Sequence, residues 1–216
     1  MRFTVLSKPS FRNVRLYVIV DAQTLGRRDP LRVAEAALRG GADCLQWRDK
    51  TGCDRDFLSA ARALRRLTRC FKRLFVVNDR VEIALMCGAD AVHLGHEDLP
   101  LAGARSWVGR RLLIGRSTHS LAQARQAQRE GADYLGVGPV FSTPTKPDYR
   151  VVGLSLLGEV QRTVRIPWVA IGGIDLKTLP AVLSAGATRV AVVRAVCRAA
   201  DPQKAARAFQ AVLSRR

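Results

Sequence analysis

A single closed (β/α)8 barrel, the TIM fold, is predicted by three observations. Apolar runs of strand length alternate with amphipathic helical patterns along the chain, these runs number eight, and a Gly-Ala-Asp-type motif precedes every second one. The motif reads Gly41-Ala42-Asp43 before CLQWR, Gly88-Ala89-Asp90 before AVHLG, Gly131-Ala132-Asp133 before YLGVG, and Gly186-Ala187-Thr188 before RVAVV. A glycine that stops a helix in the left-handed conformation, followed by a short turn into a buried strand, accounts for each copy. The other four runs are LYVIV at 16–20, LFVVN at 74–78, LLIGR at 112–116 and PWVAI at 167–171. Helical patterns follow at 30–39, 55–69, 81–87, 102–108, 121–130, 154–163, 176–185 and 202–213. Strict alternation demands crossovers and therefore a parallel sheet. An open doubly wound sheet is the lesser alternative, because its glycine-rich fingerprint is missing where the first strand runs into Val20-Asp21-Ala22-Gln23. The expected organisation is an N-terminal arm over residues 1–15 and one barrel domain over 16–216.

With 48% hydrophobic and 25% charged residues, the composition is that of an ordinary globular chain. No apolar run approaches the roughly 20 residues of a membrane span. The basic start lacks the apolar centre of a secretory signal and reads as an arm, with an organelle-targeting peptide as the minor alternative. Cys44, Cys53, Cys70, Cys87 and Cys197 show no paired spacing, which points to a reducing compartment, the cytoplasm. The formal net charge of +18 comes from 30 Arg and 6 Lys spread along the chain. Its densest cluster, Arg62, Arg65, Arg66, Arg69, Lys72 and Arg73, sits opposite the apolar face Phe57, Ala61, Leu64, Leu67 and Phe71. This is the outer surface of a helix, so nucleic-acid recognition stays a minor reading.

In this fold the chemistry lies just after the strands. Those positions are polar here: Gln46 and Arg48, which period-two alternation turns into the mouth while Trp47 faces the helices, then Lys50, Asn78, Asp79, Asp98, Ser117, His119, Thr143, Thr145 and Lys146. Asp79 and Asp98 follow adjacent strands and could share a magnesium ion. Arg48, Lys50 and Lys146 supply positive charge, and Ser117, Thr143 and Thr145 supply hydroxyls. Gly172-Gly173 and the turn after Val193 form a phosphate pocket of bare N–H groups. The segment 138–153 is long for a connection and reads as a lid. His93 lies within a strand and reads as a packed or hydrogen-bonded residue.

The motifs QWRDK, NDRVEIAL, GADAVHLGHEDLP, IGRSTHS, GADYLGVGPVFSTPTK, AIGGI and VAVVRAV, in that order, resemble the thiamine phosphate synthase family from Leu16 onward. The resemblance implies a magnesium-using barrel that condenses hydroxymethylpyrimidine diphosphate with hydroxyethylthiazole phosphate, pyrophosphate leaving before the new bond closes. It implies that Gln46, Arg48, Lys50, Asn78, Ser117, Thr143, Thr145 and Lys146 surround the pyrimidine diphosphate, with Arg48, Lys50, Ser117 and Lys146 as the catalytic set. Asp79 and Asp98 would hold magnesium, and Gly173, Val193 and Arg194 would border the thiazole phosphate. Two positions depart from the family pattern: His96 stands where glutamine is usual, and Arg194 where serine or threonine is common. The implied partners are these small molecules, with no membrane and with a homo-oligomer left open. The sister branch of thiazole tautomerases is the runner-up and would use His119 as acid or base; a non-catalytic basic barrel that binds nucleic acid is the third reading.

Overall fold

The computed structural model describes residues 10–143 and 150–214. Eight parallel strands close into a barrel in sequence order: β1 (Leu16–Asp21), β2 (Cys44–Arg48), β3 (Leu74–Asn78), β4 (Ala91–Leu94), β5 (Leu113–Thr118), β6 (Tyr134–Val137), β7 (Trp168–Ile171) and β8 (Val190–Val192), the last pairing with the first. Around them run α1 (Ala22–Leu25), α2 (Pro30–Arg39), α3 (Asp54–Cys70), α4 (Val81–Cys87), α5 (Leu101–Val108), α6 (Leu121–Arg129), α7 (Ser155–Thr163), α8 (Leu179–Ser184), α9 (Arg194–Cys197) and α10 (Pro202–Leu213). The predicted helices all form. The structure adds the four-residue helices α1 and α9, and it starts α8 at Leu179, after the 175–178 turn. It also extends β5 through Thr118, so Ser117 lies within its strand and not beyond it.

Alternation along each strand divides the core in two. Leu16, Val18, Val20, Leu45, Trp47, Phe75 and Val77 face the helices, while Tyr17, Ile19, Cys44 and Val76 fill the barrel interior. The lower end of the interior is plugged by Phe11, whose ring stacks on Tyr134 at 3.8 Å. Trp47 packs outward on Phe57 of α3, as expected of its register.

The repeated motif has a structural task. Its glycines, Gly41, Gly88, Gly131 and Gly186, all take positive φ. Its three aspartates each accept a backbone N–H from the preceding strand: Asp43 from Leu16, Asp90 from Phe75 and Asp133 from Ile114. Each also holds an arginine, Arg73 at 3.2 Å, Arg65 at 2.5 Å and Arg105 at 2.5 Å respectively. The fourth copy carries Thr188 in place of the aspartate.

Candidate active site

The polar residues at the upper ends of the strands enclose a cavity of about 510 Å3. Of the residues singled out from sequence, Gln46, Arg48, Asn78, Ser117, Thr143, Gly173, Val193 and Arg194 line it, and so does His119. Lys50, Asp79 and Asp98 are not among its lining residues; they form a separate group on the loops that follow β2, β3 and β4. Thr145 and Lys146 lie outside the described residues, as does the middle of the expected lid.

Two arrangements fix the cavity floor. Arg48 forms an ion pair with Asp21, whose other carboxylate oxygen accepts the Thr24 N–H at 2.8 Å and so caps α1. Asp21 is buried to 1% exposure, which places a fixed counter-charge beneath the guanidinium. The second arrangement is a hydrogen-bond chain through the barrel interior. Gln46 Nε2 donates to Tyr17 Oη at 2.6 Å, the Tyr17 and Tyr134 hydroxyls lie 3.3 Å apart, and His93 stands between Tyr134 Oη at 3.2 Å and Ser117 Oγ at 3.0 Å. Burial pushes both tyrosines well above the usual phenol range, so they keep their protons. If every group donates once along the chain, from Gln46 to Tyr17 to Tyr134 to His93, then His93 Nε2–H donates to Ser117. That order leaves the Ser117 hydroxyl proton directed away from His93, available to a ligand in the cavity. His93 is thus the hydrogen-bonded residue its strand position implied.

Asp79 takes the left-handed conformation at φ 60°, with its N–H donating to the His93 carbonyl at 2.9 Å, and this turn brings its carboxylate to Lys50 Nζ and to Asp98. Burial raises the Asp79 carboxyl above its usual range, and the hydrogen bond with Asp98 adds to this. For Asp98 burial also pushes upward, but the hydrogen bonds from Asp79 and from the Gly95 N–H, at 2.6 Å, outweigh it and hold the carboxyl low. Two neighbouring carboxyl groups beside a single ammonium have the donor set a divalent cation takes when most of its positions go to phosphate and water. Among the described residues no cluster of three or more histidine, cysteine or acidic side chains offers a fuller cage.

The far wall depends on Gly172 and Gly173, at φ 101° and 63°. A Cβ on Gly172 would stand 2.4 Å from Pro139 Cα, and one on Gly173 would stand 2.7 Å from Phe141 Cβ. The glycines therefore let the loop after β6 lie directly on the end of β7, where Val140 N–H donates to the Ile171 carbonyl at 2.9 Å and Phe141 N–H to the Gly172 carbonyl at 3.0 Å. Val193 then leads into α9, whose first residue is Arg194. His119 Nδ1 faces the Gly138 carbonyl and must donate to it, while its backbone N–H donates to Gln123 at 2.6 Å. His96 is exposed, and its carbonyl accepts from Arg116 at 2.8 Å. Sequence reasoning did not single out Asp21, Asp175 or Arg198, which belong to the same site; Asp21 could have been found by applying the strand-end rule to β1 as it was applied to β2 and β3.

The fold and site can be set beside known proteins. The family described as "Thiamine monophosphate synthase" matches residues 16–196. A thiamine-phosphate synthase of a Synechococcus species is 50% identical over 184 residues, covering 85% of this chain and 52% of that protein. The chain thus spans about half the length of the first curated relatives it matches. A thiamine-phosphate synthase of Chloroflexus aurantiacus is 47% identical over 201 residues, covering 93% of each. The solved thiamine phosphate pyrophosphorylase of Pyrococcus furiosus superposes with a TM-score of 0.87 at 40% identity, over 94% of this chain and 96% of that one.

Proposed function

The chain belongs to the thiamine monophosphate synthase family, and from that premise we propose that it joins hydroxymethylpyrimidine diphosphate to hydroxyethylthiazole phosphate, forming thiamine phosphate and releasing pyrophosphate. One observation carries the reading: a single cavity sets cationic, amide and hydroxyl side chains from β2, β3 and β5 opposite a glycine turn and the start of α9, so two anionic ligands can be held side by side.

In this reading Arg48, backed by Asp21, and Lys50 meet the diphosphate, Gln46 and Asn78 hold the pyrimidine edge, and Ser117 donates the proton that the interior chain leaves directed away from His93. Thr143, Thr145 and Lys146 would close over the same substrate. Gly173, Val193 and Arg194 border the thiazole phosphate, with backbone N–H groups as the principal donors. Asp79 and Asp98 would hold magnesium, which supplies positive charge to the pyrophosphate when bound. The carbon–oxygen bond breaks with its electron pair going to pyrophosphate, the aminopyrimidine carries the resulting cation, and the thiazole nitrogen closes the carbon–nitrogen bond. No side chain has to remove a proton for this, which suits a site made of fixed charges and donors. The five free cysteines support a reducing compartment such as the cytoplasm, and no helix among the described residues is long and apolar enough to cross a membrane.

His119 lines the cavity, while its Nδ1 and its backbone N–H fasten the ends of the loops after β5 and β6 to each other and to α6, so an assay must separate a structural role from the acid–base role of the tautomerase reading. The decisive assay measures pyrophosphate release with both substrates, with each alone, and with and without magnesium, then repeats it on His119→Ala. Release that needs both substrates and the metal, and that persists in the variant, is the expected result. Metal-independent isomerisation of a thiazole carboxylate phosphate, abolished in His119→Ala, would replace the synthase with the tautomerase.

A further inference from the structure

At the lower pole of the barrel, opposite the mouth, the fourfold repeat is broken in a way that leaves arginine charge without a carboxylate among the described residues. In the first three copies an aspartate receives a strand N–H and pairs with an arginine. In the fourth copy Thr188 takes that place, and beside it opens a second cavity of about 440 Å3. Among the described residues three arginines line this cavity, Arg12, Arg15 and Arg189, together with Asn13 and Thr188, and no acidic residue does.

Arg189 is the most exacting member. Its Nη1 donates to Thr188 Oγ1 at 3.1 Å and its Nη2 to the Arg12 carbonyl at 2.9 Å, both neutral acceptors. Its Nε is buried and has no hydrogen-bond partner among the described residues. Burial, and then the charge of Arg15, make its protonated form harder to keep. The repeat aspartate bonded to the Arg15 N–H, Asp43, is already engaged, because it also receives the Leu16 N–H, the Gln210 amide and the Arg73 guanidinium. Guanidinium groups gathered with no carboxylate among the described residues form the donor arrangement that tetrahedral oxyanions satisfy.

We propose that this lower cavity binds a small phosphate-type oxyanion, which supplies to Arg189 the negative charge that an aspartate supplies to an arginine in the other three repeats. The ligand has no part in the chemistry at the mouth. It neutralises the seam where β8 meets β1 and where the chain enters the barrel.

The test is hydrogen exchange of the whole protein, titrated with inorganic phosphate at constant ionic strength. Phosphate at about ten times its Kd should slow exchange about tenfold in the peptides that contain residues 12–15 and 188–190. Sodium chloride of equal ionic strength should not. Arg189→Gln should abolish the effect. Thr188→Asp should do so too, and because it restores the missing carboxylate it should slow exchange in the same peptides with no phosphate present. Pyrophosphate release at the mouth should be unchanged in both variants, which separates failure of this proposal from failure of the proposed function. Protection confined to the strand ends at the mouth, equal protection by chloride, or protection that survives in Thr188→Asp would overturn the inference. Thr188→Asp decides the matter alone if Arg189→Gln does not fold.

Discussion

Replacing Asp21 with Asn removes one charge and little else. The amide oxygen can still accept the Thr24 N–H, so the cap of α1 survives, but Arg48 loses its counter-ion. The Arg48 side chain is 12% exposed and that of Asp21 1%. Breaking a buried pair by removing one partner costs about 3–5 kcal/mol. Arg48 opens on the cavity and can relax toward it, so the lower end applies, about 3 kcal/mol. For a chain of 216 residues this corresponds to a fall in Tm of roughly 6–12 °C. Thermal unfolding followed by circular dichroism measures it, and a double-mutant cycle with Arg48→Gln isolates the pair. Pyrophosphate should raise the Tm of Asp21→Asn more than that of the wild type, because an anion at Arg48 replaces the lost carboxylate. A coupling energy below about 0.5 kcal/mol in the cycle would refute the reasoning, since the two side chains would then act independently.

Burial lifts the Asp79 carboxyl above its unfolded value, so its share of stability is present in acid and is lost as pH rises through the raised pKa. Magnesium should offset that loss: it should raise Tm at neutral pH, do little in acid where Asp79 keeps its proton, and do nothing in Asp79→Asn, all readable by calorimetry. Gly172→Ala should lose more than the about 1–3 kcal/mol of its positive φ in urea unfolding, because the added Cβ would also stand 2.4 Å from Pro139 Cα. The control Gly109→Ala, at φ 57° with open space around it, should lose only the about 1–3 kcal/mol of the backbone conformation. Tyr134→Phe removes the link between Tyr17 and His93 and should cost about 1–3 kcal/mol with an unchanged urea m-value. Its activity should fall through kcat, since the Ser117 donor loses its orientation.

The fold was legible because its signals are local. Period-two apolar runs mark LYVIV and LFVVN, and a glycine that must take positive φ marks each of the four repeats. The helices α1 and α9 were not legible, since four residues are barely one turn and carry no periodicity. Ser117 was set beyond its strand because Gly-Arg-Ser-Thr at the end of β5 has no apolar alternation to extend it. Strand-end polarity was enough to gather Gln46, Arg48, Asn78, Ser117, His119 and Thr143 around one cavity. The chain from Gln46 through Tyr17, Tyr134 and His93 to Ser117 joins five different strands, and which hydroxyl meets which ring depends on depth within the barrel. The Asp21–Arg48 pair was missed for a related reason: β1 and β2 are neighbours in space, with 26 residues between the two side chains in sequence.

The stack of Phe11 on Tyr134, continued by His93 and Ser117, fills the barrel along its axis from the lower end to the cavity floor. A tube packed in this way has little free volume to compress, so its circumference cannot breathe as ligands come and go. Differences between ligands must then be accommodated by the connections above the strands and not by the staves beneath them. The floor acts as a rigid anvil whose donors keep their spacing, and under the proposed function substitutions that change turnover without altering affinity for the pyrimidine should concentrate in the upper loops.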